Sequence, residues 1–204
     1  MTVQIRPAAL DDLNLICRLR LQRASWLAAR GSDQWSTEAS GLSIDYFAQA
    51  VDRALTGEET WIAEVGGNPA GTITVNDRAD KQLWTEIELA DSLIVHYLIV
   101  DLRFAGQGVG RQLLTHAAAL TWARGRHWVR LDAWTTNSDL HAYYRRAGFR
   151  LVRVAGPDSR SPSCALFERH IDSWSADDTL AGLQSASLRM RSLARYPIVL
   201  PAVG

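Results

Sequence analysis

Hydrophobic and polar positions change period several times along the 204-residue chain, and each change marks an element. Near the start, "VQIRPA" is short and β-rich, a first strand. It leads into "LDDLNLICRLRLQRASWLAARG", where Leu13, Ile16, Cys17, Arg20, Ala24 and Leu27 fall along one helical stripe, with Asp11 or Asp12 near the start and Gly31 at the end. A second helical stretch, "IDYFAQAVDRAL", stops at "TGEE". Two β-rich runs, "TWIAEV" and "TITVND", flank the turn signal "GGNPAG" and predict a hairpin. Residues 93–100, "LIVHYLIV", are β-branched, aromatic and apolar on both faces, which predicts a central strand.

A glycine-rich loop follows that strand at once, then a helix from about Val109 to Ala123 and another strand, "HWVRLDAW". After "TTNSD" come a short helix, "LHAYYRRAG", and two strands, "FRLVRVA" and "CALFERHI". The order is β-α-α-β-β-β-α-β-α-β-β, a mixed α/β pattern without internal repeats. Residues 1–172 are expected to form one domain and residues 173–204 a C-terminal extension. In that extension Leu180, Leu183, Ser187, Met190 and Ala194 share an approximate helical face behind Asp177 or Asp178, ahead of a short extended segment. It would pack on the domain, close a pocket or reach a partner subunit.

Composition narrows the class. With 47% hydrophobic and 22% charged residues the chain can bury a core and is not disordered. Its 22 basic and 22 acidic residues cancel, so no basic field points to nucleic acid or an anionic membrane. No apolar run approaches the roughly 20 residues that span a bilayer. Cys17 and Cys164 make neither a disulfide framework nor a metal spacing, and "MTVQIRPAALDDL" lacks a signal-peptide profile. The expected compartment is the cytoplasm, with no metal, nucleic acid or membrane partner.

Gly106, Gly108 and Gly110 in "RFAGQGVGRQLL" carry no Cβ, so the loop can bend tightly and let another molecule approach its N–H groups. Set between a strand and a helix N-terminus, those groups and the helix dipole suit phosphate oxygens, with Arg103 and Arg111 alongside. The stretch is not a GxxxxGK[ST] loop. Nor is it a regular GxGxxG, because the third glycine falls one place early and Asp132 lies farther on than a ribose contact prefers. A dinucleotide oxidoreductase stays open as an alternative.

"RFAGQG" fits [QR]-x-x-G-x-[GA], and downstream "N-x6-YRRAGF" supplies an Asn followed by Tyr-x-x-x-Gly-Phe. On these two motifs the chain resembles the GCN5-related N-acetyltransferase (GNAT) superfamily, strongly over about residues 93–152 and in element order from residue 3 to about 172. "GSDQW" resembles a segment of bacterial members whose substrates are unassigned. The resemblance implies an α/β fold with a mixed, mostly antiparallel sheet splayed at the central strand and helices on both faces. It implies acetyl-CoA as co-substrate, its pyrophosphate held by backbone N–H groups of Gly106, Gln107, Gly108, Val109, Gly110 and Arg111, in a motif that begins at Arg103. Leu98, Ile99 and Val100 would offer backbone groups to the pantetheine arm and thioester carbonyl, Asn137 would touch the arm, and Tyr144 would stand near the sulfur.

Acetyl transfer from a thioester needs a neutral amine, a stabilised oxyanion and a proton for the thiolate. A phenol, with a pKa near 10, holds that proton at neutral pH. Tyr143 adjoins Tyr144, but only Tyr144 sits four residues before Gly148. Tyr144 also reads as a partly buried aromatic with its hydroxyl bonded to backbone. For the general base, Glu86 and Glu88 are preferred, with Asp91, His96 and Asp132 open; the acidic run equally reads as a solvated face and His96 as a core histidine. Trp26, Trp35, Trp84 and Trp134 would wall a site for a small cationic amine, or simply pack.

The expected activity is direct transfer of acetyl to a primary amine of a small molecule. A non-catalytic acyl-CoA-binding or sensor module and a protein N-acetyltransferase remain alternatives, as do longer acyl donors such as succinyl-CoA and a homodimeric state.

Overall fold

The computed structural model describes residues 2–36, 43–156 and 161–174. Among these, β1 (Val3–Pro7), β2 (Thr60–Val65), β3 (Asn68–Asn76), β4 (Ser92–Val100), β5 (Trp128–Ala133), β6 (Arg150–Val154) and β7 (Ala165–His170) form one sheet in the order β1-β2-β3-β4-β5-β7-β6. Five helices accompany it: α1 (Leu13–Ala28), α2 (Ile44–Thr56), α3 (Glu86–Ala90), α4 (Val109–Ala123) and α5 (Ser138–Arg146). Every neighbouring pair of strands is antiparallel except β4 and β5, which α4 connects by a crossover. A dinucleotide fold needs a mostly parallel sheet, so that alternative falls.

Local chemistry explains most boundaries. Ser43 caps α2 by accepting from the Tyr46 N–H at 3.2 Å. Gly66 and Gly67, at φ 56° and 77°, make a two-residue hairpin turn whose twist matches its strands. The turn is thus shorter than "GGNPAG" suggested. Pro69 to Gly71 belong to β3, and a register shift at Ala63/Glu64 brings Pro69 opposite Glu64. The acidic run before β4 is a short helix with a solvent-facing side at Glu86 and Ile87: Thr85 and Glu88 cap each other and start α3.

Strand alternation divides the core. Val95, Leu98 and Val100 of β4 belong to the layer built with Val109, Leu113, Leu114 and Ala117 of α4 and Tyr144 of α5. Ile99 and the Tyr97 ring join Ile16, Leu19, Phe47 and Val51, so α1 and α2 cover the other face. Leu83, Trp84, Cys164 and Leu166 continue that second face toward β7. The core reaches Trp174, which meets Phe149 at 6.2 Å and lies 3.7 Å beneath the Arg169 guanidinium. Trp174 thus belongs to the core cluster; the helix expected around Leu180 to Ala194 lies outside the described residues. Among those residues no helix is long and apolar enough to cross a membrane.

One ion cluster centres on a buried carboxylate in the sheet. Glu168, 3% exposed, accepts from Arg130 Nε at 2.9 Å and also pairs with Arg150. Removing one partner strands a buried charge. Glu168→Ala is therefore expected to lower stability by about 3 to 5 kcal/mol, read as a shifted urea midpoint; a shift matching less than about 1 kcal/mol would place the cluster in effective contact with solvent.

Candidate active site

β4 and β5 pair only where Ser92–Ile94 lie beside Trp128–Arg130. Beyond that point they separate. On its other edge β4 carries an extra residue: Thr72 pairs with Ile99 but Thr74 with His96, so Tyr97 and Leu98 together face Ile73. Tyr97 takes φ 50°, rare for a bulky side chain. A bulge bends its strand, and here the bend coincides with a cleft of about 930 Å³ between the two strands.

The glycine loop forms one end of the cleft. Asp101 accepts from the Arg103 N–H at 2.9 Å and starts a single turn, Leu102–Phe104. Gly106 and Gly108 then adopt φ 78° and 82°, and Gly108 caps α4 in the left-handed region. Gly110 is needed for space: a Cβ there would sit 2.4 Å from the Tyr143 hydroxyl oxygen. Gly106, Gly108, Val109, Gly110 and Arg111 all line the cleft, where the first N–H groups of α4 have no intrahelical partner.

Two residues expected in this cradle have other duties. The Gln107 N–H goes to Phe104 O at 3.3 Å and its side chain to Arg103 O at 2.9 Å. Arg103 is an exposed side chain paired with Asp101 at 2.9 Å. Both shape the loop from outside the cleft.

Leu98, Ile99 and Val100 line the middle. The Val100 carbonyl accepts from Arg23 Nη2 at 2.5 Å, and burial pulls the Arg23 guanidinium below its usual pKa. Trp26, flanked by Arg23 at 5.1 Å and Arg30 at 3.9 Å, completes that wall. Arg23 and Arg30 went unnoticed in the sequence, although the i, i+3 spacing of Arg23 and Trp26 puts both on one side of α1 and Arg30 follows just beyond the end of that helix.

Asn137 lines the cleft while capping α5: its Oδ1 accepts from Leu140 N at 2.9 Å and its Nδ2 donates to Gln34 Oε1 at 2.5 Å. Asp33 accepts from Trp134 Nε1 at 2.9 Å and Thr136 Oγ1 at 2.7 Å. The "GSDQW" segment is thereby tied to the end of β5, and Trp35, at φ 67°, forms part of the wall with the Arg20 guanidinium 4.3 Å from its ring. Tyr144 lines the cleft from the α4 face, packed against Phe149 and Phe167 at 5.9 and 5.7 Å. Burial raises its phenol well above the ordinary range, so it stays protonated. Burial likewise pushes Tyr143 up to about 12.

The far end holds Tyr46, Asp80, His96, Tyr97, Asp132 and Trp134. Neither preferred base is among them. Glu88 accepts from Thr85 N at 2.8 Å and pairs with Arg153 at 2.7 Å, which with the other Thr85 contacts hold its carboxyl down at about 2. Glu86 is exposed in the first turn of α3, outside the cleft. Asp91 is paired with His127 at 2.7 Å, also outside. Trp84 is core, with Arg153 5.2 Å from its ring.

His96 Nε2 contacts Arg78 O at 2.9 Å and Asn76 Oδ1 at 3.1 Å. A carbonyl accepts only, so Nε2 carries the proton, and burial lowers the ring's pKa and keeps it neutral. Asp132 is different. Val129, Leu131 and Ala133 point into the α4 layer, so Asp132 projects from the opposite face. Burial, aided by Asp80, lifts its carboxyl to about 7.

A family model described as "Acetyltransferase (GNAT) domain" matches residues 56–151. The uncharacterized N-acetyltransferase YesJ of Bacillus subtilis is 31% identical over 169 residues, which cover 81% of this chain and 88% of YesJ. Among solved structures, a GNAT-family acetyltransferase of Listeria monocytogenes aligns with a TM-score of 0.65 at 23% identity, covering 82% of this chain and 94% of its own. The yncA acetyltransferase of Salmonella typhimurium, solved with acetyl-CoA, aligns with a TM-score of 0.58 at 15% identity, covering 86% and 98%. The chain belongs to the GNAT acetyltransferase family. It is an acyltransferase of the N-acetyltransferase class, built on that family's acetyl-CoA-binding fold.

Two outcomes test this geometry. Gly110→Ala is expected to cost about 1 to 3 kcal/mol by overpacking, and Tyr143→Phe in the same chain should recover most of it; absence of recovery in urea denaturation would mean the clash lies elsewhere. The depressed carboxyl of Glu88 stabilises the fold above its unfolded value near 4.5, and that contribution disappears as pH falls toward about 2. Glu88→Gln should flatten the stability profile across that window.

Proposed function

We propose that the protein transfers acetyl from acetyl-CoA directly to the primary amine of a small molecule. One observation carries the reading: a single cleft joins the helix N-terminus at the glycine loop to a chamber walled by aromatic and acidic side chains, with Tyr144 lining it between strands that no longer pair. The first end suits a pyrophosphate. The unpaired edge of β4 suits the amides of a pantetheine arm. Tyr46, Tyr97, Trp134, Asp80 and Asp132 suit an ammonium group. The Salmonella relative's bound acetyl-CoA supports the choice of donor.

In this reading the amine's lone pair attacks the thioester carbon, and the C–S bond breaks with its electrons on sulfur. The Tyr144 phenol hydrogen-bonds the developing thiolate and gives it the proton. Direct transfer is favoured because neither cysteine lines the cleft: Cys17 packs in the α1–α2 layer, and Cys164 donates to Ser161 O at 2.8 Å in the cluster around Leu83 and Trp84.

Calorimetry should find saturable acetyl-CoA binding in the wild type and none in Gly108→Glu, which puts a bulky anion at a φ of 82° beside the cradle. Tyr144→Phe should keep the acetyl-CoA affinity while lowering turnover about 100-fold or more against a panel of small amines. Unchanged turnover would remove Tyr144 as the acid. Acetylation of peptide N-termini alone would replace the small acceptor with a protein, and acetyl-CoA binding without acetylation of any amine or peptide would favour a sensor.

A further inference from the structure

We infer that Asp132 is the general base, taking a proton from an acceptor that enters as an ammonium ion on the α1–α2 face of the sheet. This rests on the transferase reading above and names the residue and the acceptor charge that the reading leaves open.

β5 leaves β4 after Arg130, so Asp132, two residues on, stands where the strands have parted. Its alternation puts it on the face shared by Tyr97, whereas Tyr144 belongs to the α4 layer. Base and acid thus lie on opposite faces of the gap through which a thioester would pass. The amine can approach from one side while the thiol departs on the other.

The rivals are engaged elsewhere. Glu88 is locked to Arg153, Glu86 faces solvent, and Asp91 pairs with His127. The His96 Nε2–H is held by Arg78 O and Asn76. Among the described residues no cation pairs with Asp132. The groups around it are Asp80 from the segment after β3, His96 and Tyr97 from β4, and Tyr144 from α5. Arg130, two residues back on its own strand, is committed to Glu168 at 2.9 Å. A carboxylate so surrounded invites an incoming cation.

Desolvation supports the assignment. A carboxyl raised to about 7 is a far stronger base than an ordinary aspartate, yet a large fraction is ionised at neutral pH. The protons balance. The ammonium gives one to Asp132, which passes it to solvent, and the freed lone pair forms the C–N bond. As the adduct collapses the nitrogen gives its second proton to the again ionised Asp132, and solvent restores to Tyr144 the proton it gave to sulfur.

The test uses the full chain and Asp132→Asn, with acetyl-CoA calorimetry as the check on folding and donor binding. In protein carrying 13C-labelled aspartate carboxyls, one resonance missing from Asp132→Asn should titrate at roughly pH 6 to 8; titration below about pH 5 would overturn the inference. That readout needs no acceptor, so it decides even where turnover is slow. With butylamine, kcat/KM should rise with pH to a plateau above about pH 7, and Asp132→Asn should lower it about 100-fold. Hydroxylamine, already uncharged at neutral pH, should lose only a few-fold. Loss of the acid limb in His96→Gln but not in Asp132→Asn would transfer the role to His96. Failure of the wild type to bind acetyl-CoA would instead defeat the transferase reading, a separate result.

Discussion

Two strands that share three residue pairs and then part are the constraint on which the site depends. Breaking a sheet in its interior leaves backbone groups without partners, a cost that buried amides normally avoid. Part of that cost is met locally: Arg23 takes the Val100 carbonyl, and β4 keeps its β3 partner on the other edge by accepting a bulge at Tyr97. The remainder faces the cleft, where in the proposed reading the amides of a pantetheine arm would take the place of the lost pairing. Tightly packed layers on both faces, from α4 on one side and α1 with α2 on the other, hold the gap open against collapse.

Environment, not residue type, separates the carboxylates. Glu88 and Asp132 begin with nearly the same chemistry. Glu88 gains Arg153 and the Thr85 cap and ends near 2; Asp132 gains burial and a second carboxylate, Asp80, and ends near 7. The first is committed to structure because its charge is already satisfied. The second retains unsatisfied charge within the cleft, which is the condition for acting on a substrate.

This also explains what the sequence disclosed. The glycine loop, the central strand and the position of Tyr144 were legible because each depends on neighbours within a few residues: left-handed φ at Gly106 and Gly108, β-branched runs, the spacing to Gly148. The preference for Glu86 and Glu88 depended on contacts that no local pattern reveals. Glu88 is claimed by an arginine 65 residues away. The "GSDQW" segment gains its place only through Asp33 bonds to Trp134 and Thr136, 101 and 103 residues on. The turn before β3 was misjudged for a related reason, since Pro69 usually ends a strand, and here the register shift beside Glu64 accommodates it.

The same geometry bears on the order of chemical events. An acetyl group stored on the enzyme would need a nucleophile in the cleft, and neither cysteine is there. In the direct-transfer reading proposed above, donor and acceptor are bound together, one along the parted edge of β4 and the other on the α1–α2 face. On that reading such a complex would exclude water best with both sides filled, because Trp35, Tyr97 and Trp134, which line the cleft, would stand around the acceptor. If the acceptor enters as a cation, its arrival would both neutralise the Asp132 carboxylate and expel the water that would compete for the acetyl group, coupling occupancy of the chamber to protection of the thioester through one side chain.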